Sequence, residues 1–163
     1  MLSTSQEFTA ERLLGYEVPG KRLELVRGQL LVHEPAGVRH GDIGTRLAHR
    51  LMGHLERERD TGVVSQLRGT VLGPDTGFVL ERAPDLVVEV RSPNDLPGPL
   101  LAKVAEYLAA GTQLVWVIDP AHSSVTIYRA DGTVAALGIN ETVSGEAVLP
   151  GFSVFVSDLF SAG

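Results

Sequence analysis

In the segment RLELVRGQLLVHEP, Leu23, Leu25, Leu30 and Val32 alternate with polar residues on either side of Arg27-Gly28. A period of two marks half-buried strands, and an Arg-Gly pair suits a tight turn, so the pattern predicts a β-hairpin with Glu24 on its first strand. Ahead of it, residues 1–20 read as a short polar helix and a turn at Pro19-Gly20. Over residues 39–60 the period changes, with Ile43, Leu47, Leu51 and Leu55 recurring every fourth position. That spacing predicts an amphipathic helix, with Asp42 at the positive end of its dipole and Gly62 as its stop. Short strands are predicted at 63–67, 77–80 and 86–91. SPNDLPGP is a loop by composition, and Leu100, Leu101, Val104 and Leu108 mark a second helix that Gly111 ends. LVWVID and SVTIYR read as strands around the turn PAHS, and VLPGFSVFVSDLF as a last strand with a short terminal turn. The order predicts an α/β (α+β) fold with a mixed central β-sheet flanked by helices and an N-terminal β-hairpin.

Composition narrows the classes. A chain of 163 residues, 44% hydrophobic and 21% charged, is ordinary for one globular domain, expected to span 1–163. It has no cysteine, which excludes disulfides, thiolate metal sites and cysteine nucleophiles. The first twenty residues carry Glu7, Glu11, Arg12 and Glu17 without an apolar block, and no apolar run approaches the ~20 residues of a membrane span. A cytoplasmic protein without membrane contact is the expectation. The net charge of −6 argues against a coat-like nucleic-acid binder. It leaves room for an enzyme holding DNA in a local basic groove, since metal-binding carboxylates themselves lower the total.

The segment RAPDLVVEVRSPND places two carboxylates in an apolar strand. Asp85, Val87 and Glu89 share one face, continued by Arg91; Leu86, Val88 and Val90 share the other, which must be the main core. A buried unpaired carboxylate costs several kcal/mol. Two readings follow. Glu89 pairs internally with Arg91 or Lys103, or it binds a hard divalent ion such as Mg²⁺ or Mn²⁺. Four residues of strand span about 13 Å, so Asp85 shares an ion with Glu89 only if the strand is bulged or kinked after Pro84. Glu24 on the hairpin and Asp75 before the preceding strand are the other candidate ligands. Lys103 sits at the edge of the second helix's apolar stripe, with Tyr107 one turn later. It either snorkels to solvent or points over the sheet at Glu89.

PDLVVEVRSPND, Lys103 in KVAEYLAAG, LVWVIDP and VTIYRADG together resemble the Uma-two family of restriction endonucleases, within the PD-(D/E)XK nuclease superfamily. LELVRGQLLVHEP, RHGDIGTRLAHRL and LPGF resemble family segments too, so the likeness runs from about Arg22 onward. The resemblance implies a restriction-endonuclease-like core and Mg²⁺-dependent hydrolysis of phosphodiester bonds. It implies Glu89 as metal ligand, Lys103 as the catalytic lysine moved onto the helix, Glu24 as the acid of the hairpin and His40 as the histidine opening the first helix. Family members carry two Pro-Asp segments, whereas TGFVLERAPDLVVEVRSP has no room for both. Asp85 keeps the wording of the motif. Asp75, with Glu89 and Arg91, also matches the superfamily's ligand pattern, with arginine where lysine is usual. Arginine does not serve as a base at its pKa of above ~12.

The expected active site is therefore Lys103, Glu89 and Asp85, with Glu89, Asp85, Asp75 and Glu24 as the metal set and Arg91, Ser92, His40 and Tyr107 as substrate contacts. DNA is the expected partner, and a homodimer follows by superfamily analogy. The alternative is a degenerate member acting as a binding or assembly module. Arg39, Arg46, Arg50 and Arg57, with His54 among them, line one face of the first helix; a solvated, ion-paired face is favoured over a DNA contact. His49 and His54 lack zinc spacing. Trp116 reads as core and Asp119-Pro120 as a turn.

Overall fold

The hairpin forms where the alternation puts it. In the computed structural model, which describes residues 8–26, 28–33, 38–61, 83–93 and 95–161, β1 (Arg22–Val26) pairs antiparallel with β2 (Gln29–His33). Leu23 faces Val32 and Leu25 faces Leu30, and Val26 pairs with Gln29 across a two-residue connection. Gly28 supplies the positive φ of +75° that this tight turn requires. The helix α1 (Ala10–Leu14) precedes the hairpin, and Thr9 caps it by accepting a hydrogen bond from the Arg12 N–H at 3.3 Å. The Phe8 N–H donates to the Gly28 carbonyl at 2.8 Å, joining the helix entry to the turn. These residues fall in one compact unit, and the described residues from 38 onward fall in a second.

The second unit is built on a βαβ step. The strand β3 (Leu86–Val90) runs parallel to β4 (Leu114–Asp119), and α3 (Pro97–Ala109) makes the crossover. Pro97 and Pro99 suit the helix's first turn, where missing N–H groups cost nothing. Gly111, at φ +105°, lets the chain turn back after the helix, and the Thr112 N–H then caps the Tyr107 carbonyl at 3.0 Å. From β4 the chain turns into β5 (Ser124–Arg129) and β6 (Val134–Leu137), both antiparallel, giving a mixed sheet in the order β3-β4-β5-β6.

The sheet has two unequal faces. Leu86, Val88 and Val90 pack with Leu114, Trp116 and Ile118 against Ile43, Leu47 and Leu51 of α2 (Val38–Thr61). A hairpin of β7 (Thr142–Ser144) and β8 (Ser153–Phe155), followed by α4 (Val156–Phe160), completes this main core through Val143, Phe152, Val154, Val156 and Leu159. On the opposite face Val87, Val115 and Val117 meet Leu100, Val104, Tyr107 and Leu108 of α3. The split between even and odd positions of β3 is the one its sequence predicts. Strands β6 and β7 are additions to that reading. The expected strands at 63–67 and 77–80 lie outside the described residues.

Two details hold the C-terminal hairpin. His54, which the helical wheel groups with the arginines of α2, is instead buried. Its Nε2 lies 3.0 Å from the Pro150 carbonyl, which only accepts, so Nε2 carries the proton. The ring also meets Phe152 edge-on, and Phe152 stacks on Trp116. Gly145 closes the loop: a Cβ there would stand 2.4 Å from both Cβ and O of Leu149. Because backbone as well as side chain must move, Gly145→Ala should lose about 1–3 kcal/mol of unfolding free energy, read as a lowered midpoint in urea with an unchanged slope.

Candidate active site

Glu89 lies on the α3 face of β3, opposite Val117 of β4. The apolar stripe Leu100-Val104-Leu108 seats α3 on the sheet. That fixes the neighbouring flank, Lys103 and Tyr107, four residues apart and therefore stacked one turn over the other. The Tyr107 hydroxyl donates to Glu89 Oε1 at 2.9 Å. Lys103 Nζ stands 4.0 Å from the same oxygen, an ion-pair distance too long for a hydrogen bond. The Lys103 and Glu89 side chains are only 14% and 19% exposed, so the two charges meet in a largely dry setting. Both contacts use Oε1, and Oε2 takes part in neither.

Arg91 does not face Glu89. Its backbone N–H extends the parallel ladder to the Ile118 carbonyl at 2.9 Å, and its guanidinium binds Asp119 Oδ2 at 2.5 Å. The Ser92 N–H donates to Asp95 Oδ2 at 2.7 Å, tying the loop beyond the strand. Asp119, read from the sequence as a plain turn residue, also accepts from the Ala121 N–H at 2.9 Å and sits 3.0 Å from His122 Nδ1. Partial burial would raise its pKa, but the hydrogen bonds from His122 and Ala121 and the Arg91 charge outweigh that and hold it below the ordinary carboxylate value. A depressed pKa stabilises the fold above the unfolded value near 4, and that contribution is lost as pH falls through the folded pKa. The melting-temperature gap between wild type and Asp119→Asn should therefore be constant at neutral pH and close only on the acid side. The signal for this pair was present: with β3 and β4 parallel, Arg91 follows Val90 and Asp119 follows Ile118, its register partner.

Of the other expected residues, Asp85 is buried at the entry to β3, where its carbonyl accepts from the N–H groups of Gln113 and Leu114 at 3.0 and 3.1 Å and its carboxylate lies 3.5 Å from Gln113 Nε2. The pairing from Leu86 to Val90 is regular, so the spacing along β3 keeps the two carboxylates about 13 Å apart. Glu24 occupies β1 opposite Leu31, in the other unit. Asp75 lies outside the described residues. His40 is half-buried near the start of α2. Along α2, Arg46 pairs with Asp42 at 2.9 Å and Arg50 with Asp158 of α4 at 3.3 Å, so both are tied in ion pairs.

A divalent cation fits this site in kind: Glu89 offers a hard oxygen, Oε2, that neither Lys103 nor Tyr107 uses. In number the set is incomplete, since among the described residues no three acidic or histidine side chains stand close enough to hold an ion.

A model of the family described as "Uma2: Putative restriction endonuclease" matches residues 6–157. The chain belongs to this family. Its description supports a nuclease-like function for this Uma2 protein. The fold is also that of a solved structure, described as "a putative nuclease belonging to DUF820" from Anabaena variabilis ATCC 29413. The two superpose with a TM-score of 0.71 at 18% identity, covering 94% of this chain and 97% of the other. No curated protein matches the chain. Among the described residues no helix of the Uma2 protein is long and apolar enough to cross a membrane.

Proposed function

We propose that this Uma2 protein is a nuclease that hydrolyses DNA phosphodiester bonds with Mg²⁺ or Mn²⁺, working as one restriction-endonuclease-like domain in the cytoplasm and pairing as a homodimer. The observation that carries the reading is the meeting of Lys103 and Tyr107 on one oxygen of Glu89 across the helix–sheet interface. Glu89 would hold the ion through Oε2, and Asp75 and Glu24 are the candidates for its remaining protein ligands; Asp85, about 13 Å along the same regular strand, is too far to share that ion. A divalent ion bound there supplies polarisation of the scissile phosphate and a lowered pKa for water. Lys103 stabilises the charge that grows on the phosphate as the bond forms. Arg91, anchored by Asp119, Ser92 at the end of the same strand and His40 are the proposed contacts to neighbouring phosphates.

A second reading has its own support. Lys103 stands at ion-pair distance from Glu89 with no metal needed to bring them together, as expected of a degenerate copy that keeps the fold as a binding or assembly module. Purified protein incubated with supercoiled plasmid separates the two. Nicking or linearisation with Mn²⁺ or Mg²⁺, abolished by EDTA, supports the nuclease. Intact plasmid together with no heat of Mn²⁺ binding up to low-millimolar concentration leaves only the module.

A further inference from the structure

Resting on the homodimer of the reading above, we propose that two copies meet through α3, each laying the outer side of this helix over strands β5 and β6 of the other. Lys103 and Tyr107 turn one flank of α3 toward Glu89 on β3. At about 100° per residue the opposite flank, which looks along the sheet toward β5 and β6, carries Gly98, Leu101, Ala105 and Ala109, with Ala102 beside them on the outer side. All five are exposed, Leu101 by 50%, and none is charged. A helix about 10 Å wide covers two strands spaced about 4.8 Å apart, half of this four-stranded sheet. Here α3 sits on Val87, Val115 and Val117 of β3 and β4, with Tyr128 of β5 at its border. Val125 and Ile127 enter the main core, so Thr126 and Tyr128 stand on the α3 side, beside Ala136 and Val134 of β6. Val134 is 58% exposed, and Ala136 is exposed too.

Single exposed apolar residues are ordinary, but a helix side and half a sheet face adjoining one another form a continuous apolar step. What fills such a step is a helix with small, uncharged residues on the sides that meet the wall and the floor. The outer side of α3 itself fits that description. A two-fold axis that sets α3 antiparallel beside its copy, between the two sheets, fills both steps in one operation, as an isologous interface does. Each copy carries a net charge of −6, so two copies repel at a distance. They meet here at little desolvation cost, because none of these residues carries a charge. The area is sufficient. Two helix widths by the roughly 20 Å length of α3 make on the order of 600 Å² of accessible surface per copy, about 1,200 Å² in all, the lower bound for a specific interface.

The test is the mass of the full chain in solution. Light scattering on a sizing column loaded at about 100 µM should give twice the chain mass, since an interface of this size holds at about micromolar affinity. Ala105→Glu on the helix and Val134→Lys on the sheet each put a charge into the interface at a position exposed in the single chain, where a folded monomer tolerates it. Each should weaken dimerisation by about a hundredfold or more and elute as a monomer, with an unchanged far-ultraviolet circular dichroism spectrum. Met52→Glu, at an exposed apolar residue of α2, should stay dimeric. A wild-type dimer that persists in either charged variant, or that Met52→Glu breaks as well, overturns this interface and leaves the homodimer standing. A wild-type monomer overturns both. Plasmid cleavage by the same preparation is read separately, so loss of the interface and loss of the nuclease reading are told apart.

Discussion

Glu89→Ala should lower Mn²⁺-dependent plasmid cleavage by roughly 10³-fold, about 4 kcal/mol of lost transition-state stabilisation. Two effects are mixed in that number. The substitution removes the oxygen proposed to hold the ion, and it also takes an ion-pair contact from Lys103, whose side chain is only 14% exposed. Removing one member of a buried pair destabilises in its own right. Glu89→Gln separates the effects. Its amide oxygen still accepts the Tyr107 hydroxyl, and its size preserves the packing beside Val87. Cleavage should fall nearly as far as in Glu89→Ala, because a neutral amide is a poor ligand for a hard dication, while the melting temperature stays closer to wild type. Undiminished cleavage in Glu89→Gln would remove this carboxylate from the chemistry, and Asp85 or Asp75 would have to take its place.

The elements that define the site were legible because they rest on short-range patterns. The alternation in Leu86–Val90 assigned Glu89 to the face away from the main core, and the stripe Leu100-Val104-Leu108 set Lys103 and Tyr107 on the flank above it. Both follow from fixed periods of two and 3.6 residues. What the sequence left open was pairing at a distance. Nothing in VAAL marks a strand, since alanine is a poor strand former, and β6 exists because β5 offers it a hydrogen-bonding edge. His54 looked like one more polar residue among arginines; the Pro150 carbonyl and the Phe152 ring, nearly a hundred residues on, decide its burial. Arg91 was read as a possible partner of Glu89, yet Asp119 competes for it from the adjoining strand end and wins by geometry. Within the site, then, periodicity chose the face, and the choice among several opposite charges needed the register of β3 on β4.

Lys103→Met should separate metal binding from hydrolysis. At 4.0 Å, with an effective dielectric constant near 20, an ammonium and a carboxylate attract by on the order of 4 kcal/mol, of which desolvation takes back a large part. A dication approaching Oε2 must overcome that attraction as well as repulsion from the ammonium. Removing the ammonium should leave Mn²⁺ affinity unchanged or raise it, as read by calorimetry. Cleavage should nonetheless fall by about 10²–10³-fold, the usual cost of deleting one preorganised charge aimed at a transition state. Lys103→Arg should restore little, since the planar guanidinium is broader than an ammonium and its donors point along a fixed fork. The opposite signs matter because a merely structural pair predicts neither. If Lys103 only neutralises Glu89, Lys103→Met leaves a buried carboxylate uncompensated. Stability then falls, with no cleavage to lose. A variant that binds Mn²⁺ as well as wild type, melts near it and no longer cuts DNA would assign the ammonium to the reaction, because folding and metal capture would both have been retained without it.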